Sequence, residues 1–152
     1  AEYVHKQDPT RLIDHASGYF DQGAGDFHSY HIYFKSFRPK PDPLNRILAL
    51  TEFGGFSLAV DGHTSSDILY GYKIFKDRQS LNDGIRNLYE TDVYPAMEKG
   101  LSASIYTQVS DVEDEVNGIF TYDRKETKLD GDLSLQIAET LHGLFKKNYA
   151  DK

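Results

Sequence analysis

The stretch "ILALTEFGGFSL", residues 47–58, decides the fold. Ile47, Leu48 and Leu50 sit in an unbroken apolar run up to Thr51, the pattern of a strand buried on both faces. Glu52 puts a carboxylate at the end of that run, and Phe53 follows. Gly54 and Gly55 then let the backbone turn sharply and leave space beside the acid. In parallel β/α sheets and barrels, reactive groups sit where strands end at the carboxyl edge. Glu52 occupies such an edge. A lone Glu at a strand end also serves as a surface or loop-capping acid, so the spacing by itself leaves both roles open.

Working outward, strands and helices alternate. "RLIDHAS" (11–17) is a short apolar run ending in polar residues, and the Gly-rich "GYFDQGAGDF" (18–27) reads as a loop. "SYHIYF" (29–34) has the aromatic and β-branched content of a strand. "RPKPDPLN" (38–45) carries three prolines in five residues and is a loop. "SLAVDGHTSSDILYGYKIFKD" (57–77) reads as a long surface connection with room for one helical turn. "SLNDGIRNLYETDVYPAMEKG" (80–100) is the clearest helix. It has Leu81, Ile85, Leu88, Tyr89 and Val93 at helical spacing, a capping-box-like start at Ser80 and Asp83, and Gly100 as its terminal cap. Gly84 and Pro95 weaken it. "LSASIYTQVSD" (101–111) returns to strand, and "DLSLQIAETLHGLFKKNY" (132–149) is a final amphipathic helix. This alternation predicts an α/β fold with parallel packing. The opening "AEYVHKQDPTR" reads as the tail of a helix ending before Asp8-Pro9, as in a domain cut from a longer polypeptide.

Composition narrows the function classes. The chain has 152 residues, enough for one core, with 24 acids against 17 bases and a net charge of −7. No basic run offers itself to nucleic-acid phosphates, and no apolar run approaches a membrane span. The absence of Cys excludes disulfides and thiolate chemistry without fixing a compartment. Eleven Tyr and nine Phe with no Trp are a surplus that suits polar-ligand sites as well as cores.

Several polar groups fall at predicted strand ends: Asp14 and His15, His31 and Tyr33, Glu52, and Tyr106, Thr107 and Gln108. A carboxylate among His, Tyr and amide groups suits a sugar, whose hydroxyls need donors and acceptors and whose faces stack on aromatics. The six histidines form no HExxH or HxH pair, so no metal site and no cofactor are predicted. "DVEDEVNG" (111–118) lacks the calcium-loop arrangement and reads as a solvated acidic loop. "GAGDF" matches no phosphate fingerprint, and no G-x-S-x-G turn exists for a Ser nucleophile.

Three segments together, "DPTRLIDHASG" (8–18), "LTEFGG" (50–55) and "YTQVSDVEDEVNGIFTYDRK" (106–125), resemble glycoside hydrolase family 2, which includes β-galactosidases, β-glucuronidases and β-mannosidases. The resemblance runs from residue 8 to about residue 128 and points to the C-terminal half of the catalytic barrel. It implies that residues 1–152 are a partial domain of that family, strands five to eight of a TIM-type (β/α)8 barrel. Strand five would follow Asp8-Pro9-Thr10-Arg11, strand six would run to Tyr33, strand seven from Ile47 to Glu52 and strand eight from Ala103 to Gln108. It implies Glu52 as nucleophile, Tyr33 as the hydroxyl supporting it, and His31, His15, Tyr106 and Gln108 as substrate contacts, with Tyr106 where relatives carry Trp.

The activity so implied is retaining hydrolysis of a β-linked glycoside or oligosaccharide. Glu115 stands where β-glucuronidases carry the Asn of an Asn-x-Lys, and an acid there disfavours a uronate, which leaves a β-galactoside as the leading substrate. The family's acid/base lies in an Asn-Glu pair, and this chain contains none, so the fragment alone is expected to be inactive. An uncovered half-barrel is expected to associate with the missing half or with itself. The alternative from the same residues is a non-catalytic carbohydrate-binding or interaction module. A flavodoxin-like binder would need a phosphate-cradling loop that "SGYFDQGAG" does not supply.

Overall fold

A computed structural model describes residues 1–150, with the backbone alone for residues 149 and 150. Residues 151 and 152, the end of the predicted 1–152 unit, lie outside the described residues. The core is a three-stranded parallel sheet of β1 (Phe27–Ile32), β2 (Ile47–Gly54) and β5 (Leu101–Thr107), in the order β1-β2-β5. The central strand is the apolar run that ends in Glu52, Phe53 and Gly54. Leu48, Ala49, Leu50 and Phe53 of β2 are buried, as a strand flanked on both edges requires. His31 pairs with Glu52 across β1 and β2, and Phe53 pairs with Tyr106 across β2 and β5. All three strands therefore end at one edge, and the chain leaves that edge at Tyr33, Gly54 and Thr107.

Helices cover the sheet. α1 (Glu2–Gln7) buries nothing and stops at Asp8, which is extended ahead of Pro9. α2 (Arg78–Leu88) begins two residues earlier than the sequence suggests. Its cap is Asp77, whose carboxylate accepts from the Ser80 N–H at 2.7 Å. Pro95 does not break the unit. A π-helical turn, Tyr89–Val93, precedes it, and Pro95 falls in the first turn of α3 (Tyr94–Met97), where its missing N–H is not needed. Gly84 leaves room for the Phe75 ring, which a Cβ would approach to 2.5 Å. α4 (Gly131–Phe145) starts at Asp130, which caps the N–H groups of Asp132 and Leu133. Leu81, Ile85, Val93, Ala96, Leu133 and Ile137 from these helices close on Leu50, Phe53 and Leu101 in one apolar cluster.

The architecture is not the four-stranded half of a barrel. The expected fifth barrel strand, at residues 11–17, does not form. Local side-chain bonds compete there with any ladder. Asp8 accepts from Thr10, and Asp14 turns back to the Ser17 N–H. The segment touches β1 and its approach through scattered contacts instead of a ladder: Ile13 exchanges one backbone and one side-chain bond with Asp26, Asp14 accepts from the Ser29 hydroxyl at 2.5 Å, and Ser17 Oγ lies 3.4 Å from His31 Nε2. The 57–77 connection holds no helical turn. It carries the second member of a two-residue parallel pair, β3 (Phe56–Ser57) with β4 (Lys73–Ile74).

The predicted solvated loop 111–118 is only partly so. Val112, Glu113 and Asp114 are exposed, but Asp111, Val116 and Asn117 are buried. The reason is Lys128, a wholly buried lysine whose ammonium bonds both Asp111 oxygens at 2.6 and 2.9 Å and the Leu58 and Val116 carbonyls at 2.8 and 2.9 Å. Burial pulls the Lys128 pKa below its ordinary value, and Asp111 opposes that shift. Lys128→Met should strand the buried Asp111 charge and cost ~3–5 kcal/mol. At roughly 2–4 °C per kcal/mol for a chain of this size, the midpoint of a circular-dichroism melt should fall by about 10 °C. Adding Asp111→Leu should restore only part of this, because the Leu58 carbonyl and the Gly118 N–H that Asp111 accepts stay unpaired.

Candidate functional site

The carboxyl edge of the sheet gathers Glu52, Tyr33 and His31. The Tyr33 hydroxyl donates to Glu52 Oε2 and lies 3.3 Å from Thr107 Oγ1. His31 Nδ1 lies 3.5 Å from the same Glu52 oxygen, and its Nε2 is 3.4 Å from Ser17 Oγ. The Glu52 side chain is 44% exposed, so a ligand can reach it, whereas that of His31 is 8% exposed and serves as a fixed wall. Both contacts fall on Oε2. Among the described residues Oε1 accepts no hydrogen bond, which leaves one carboxylate oxygen held and the other free. Burial, and then the bond to Glu52, push the Tyr33 pKa far above its ordinary value, so Tyr33 remains a donor at any working pH.

Aromatic rings surround this carboxylate. Tyr33 stacks on Tyr72 with centroids 4.2 Å apart and planes 6° from parallel. Phe34 and Tyr70 meet Tyr72 edge-on at 5.3 and 5.9 Å. Tyr19 meets the His31 ring edge-on at 5.2 Å. Burial raises the Tyr72 pKa, with smaller contributions from Tyr70, Glu115, Tyr19 and Glu52, so these groups lie near its hydroxyl. Gln108, just beyond β5, donates to Glu115 at 3.1 Å and to Asn117 at 2.5 Å. Thr107 was named by the sequence reading among the polar groups at strand ends, whereas Tyr19 and Tyr72 were not singled out there as site residues. The trace they leave there is the tyrosine surplus, concentrated in Tyr70-Gly71-Tyr72.

Two of the predicted substrate contacts lie elsewhere. The Tyr106 ring packs edge-on against Phe53 at 5.6 Å, directly under Gly54, and borders a small apolar cavity with Tyr89 and Ile137. Burial raises its pKa, and a bond to the Phe56 backbone opposes this. His15 sits at the amino edge. Its Nε2 accepts from the Gln22 N–H at 3.2 Å and lies 3.5 Å from Asp21. Asp21, His28 and Asp42 converge there in a group of the kind that can hold a cation. Arg46 already engages both carboxylates, at 2.7 Å to Asp21 and 2.9 Å to Asp42. The cluster is therefore an ion-pair clamp across the start of β1 and β2 rather than a ligand set.

Arg46 holds the Asp21 carboxyl well below the usual range and lowers that of Asp42 to about 2. A depressed folded pKa gives stability that is complete above the unfolded value and is lost as pH falls through the folded one. The difference in melting midpoint between the wild type and Arg46→Met should therefore narrow as pH is lowered from about 4 to about 2.

The two glycines after Glu52 can be tested directly. Gly54 and Gly55 have φ of +87° and +60°. A Cβ on Gly55 would lie 2.6 Å from Tyr72 Cδ2 and 3.0 Å from Tyr33 Cδ1. Gly62, with φ of +77° and open space around it, is the control. Gly62→Ala should cost ~1–2 kcal/mol, the left-handed backbone penalty alone. Gly55→Ala should cost more in a denaturant titration, and the difference measures the wedge driven between the two rings. No family model matches the chain, and no curated protein matches it.

Proposed function

We propose that this chain carries the nucleophile of a retaining β-glycoside hydrolase, and that the nucleophile is Glu52. The observation that supports this most is the division of labour on its carboxylate. Tyr33 holds Oε2, while Oε1 stays free and accessible beside the Tyr33–Tyr72 stack at the carboxyl edge of a parallel sheet. In the first step Oε1 attacks the anomeric carbon. A carbon–oxygen ester bond forms, the glycosidic bond breaks, and the departing oxygen takes a proton from a general acid. In the second step water attacks the same carbon, gives its proton to that group as base, and frees Glu52.

The acid/base must stand about 5–5.5 Å from Glu52. We assign it to a carboxyl group outside this sequence, because the chain holds no Asn-Glu pair and Glu115, which lies near Tyr72, is engaged by Gln108. Glu115 also disfavours a negatively charged sugar, which favours a neutral one such as β-galactose.

An activated leaving group needs no protonation, so the nucleophile can be tested without the acid/base. Incubation with 2,4-dinitrophenyl 2-deoxy-2-fluoro-β-galactoside should add one fluoroglycosyl group, which intact mass and peptide mapping should locate on Glu52. Glu52→Gln should not label. Tyr33→Phe should label about 10–100-fold more slowly, the worth of one hydrogen bond to a charged acceptor. Saturable binding of a β-galactoside with no label on Glu52 would instead identify a carbohydrate-binding module.

A further inference from the structure

We propose that Tyr72 is a positioning residue for the Glu52 site, acting through the face of its ring on Tyr33. The inference rests on the hydrolase reading for its kinetic consequence and on geometry alone for the positioning itself. Tyr33 lies just past the end of β1, and its ring is not packed into the apolar core cluster. What fixes it is a stack: Tyr72 covers one face at 4.2 Å, and Gly55 approaches its edge where any Cβ would intrude. A tyrosine turned by a few tens of degrees would carry its hydroxyl off Glu52 Oε2.

Tyr72 is itself pinned. Phe34 and Tyr70 bracket its ring. The backbone of Tyr70 donates to Asp114 at 2.7 Å and accepts from the Val116 N–H at 3.2 Å. Val116 in turn is tied to Lys128. Gly71 presses on Ser57, and the Phe75 N–H donates to the Ser57 carbonyl at 2.8 Å, fixing the far side of the connection. The buried lysine and the nucleophile's donor are thus joined by an unbroken run of contacts that passes through one aromatic stack. Among the described residues the Tyr72 hydroxyl makes no hydrogen bond, so the ring and not the hydroxyl is the working part. Phenylalanine should then serve as well as tyrosine.

The test uses chain grown with tyrosine labelled at 13Cζ, the Tyr33 signal being the one missing from Tyr33→Phe. In Tyr72→Phe this signal should stay in place and Glu52 labelling by the dinitrophenyl fluorogalactoside should keep the wild-type rate. In Tyr72→Leu the signal should move toward that of a solvated tyrosine. Labelling should slow by about three- to tenfold, the range of one aromatic pair. That slowing should vanish when Tyr72→Leu is made in the Tyr33→Phe background, because the two act through one hydroxyl. An unmoved Tyr33 signal in Tyr72→Leu would overturn the proposal, as would an undiminished slowing in the double variant. If the wild type itself does not label, the hydrolase reading fails, and the Tyr33 signal alone decides the positioning.

Discussion

The ammonium of Lys128 is the constraint from which the functional edge hangs. A lysine removed from water loses several kcal/mol of hydration, and only close, complete pairing makes that tolerable. Here four acceptor contacts surround it: two from Asp111, one from Leu58 and one from Val116. Asp111 also accepts from the Gly118 N–H at 2.8 Å. Three segments distant in sequence, the exit from β3, the loop after β5 and the run before α4, therefore meet at one point. The exposed Arg78–Glu126 pair joins neighbouring segments too, but a solvated pair of that kind contributes only ~0–1 kcal/mol. The buried pair sets the position of the loops, and the exposed one decorates it.

From that anchor the edge is built by aromatic rings meeting glycine. Gly54 admits the Tyr106 ring beneath the sheet edge, and Gly55 admits the Tyr33–Tyr72 stack above it. The question raised by an acid followed by two glycines thus has a packing answer as well as a conformational one. A side chain at either position would collide with a ring whose place matters, in one case to the core and in the other to Glu52. Both glycines also adopt φ values that other residues reach only at a cost.

How much of this was legible depended on range. β2 was readable because burial on both faces leaves a continuous apolar run, and α2 and α4 because Leu81, Ile85, Leu133 and Ile137 repeat at helical spacing. The place of Glu52 near the end of β2 was readable because strand ends and glycines are local signals. The 11–17 segment misled because Leu12 supplies apolarity but stays exposed, while Asp8 and Asp14 close local turns that no period records. Lys128 was invisible, since nothing nearby in sequence marks a lysine for burial and its acceptor lies seventeen residues away. His15 and Tyr106 were placed by their predicted strand ends. Arg46 draws the Asp21 cluster around the first to the amino edge, and Phe53 draws the second toward the core. Tyr72 was missed because a connection of twenty residues has no periodicity from which to read a contact.

Four well-held carboxylates of the chain set off the different state of Glu52. Asp111 has both oxygens on Lys128 and one also on Gly118. Asp92 accepts from the Phe37 N–H at 2.8 Å with one oxygen and from Arg38 at 3.1 Å with the other. Asp21 and Asp42 are saturated by Arg46. Each is fully partnered, which makes a good strut and a poor nucleophile, because attack on carbon would require breaking a charge-assisted bond. Glu52 is partnered on one side only, by a hydroxyl and an imidazole rather than by a fixed cation. A neutral donor steadies the anion without cancelling its charge, and the unpartnered oxygen keeps its lone pairs for a bond to carbon. On the proposed reading this division suits a group that alternates between free anion and ester, since Tyr33 can remain on Oε2 throughout while Oε1 forms and releases the bond.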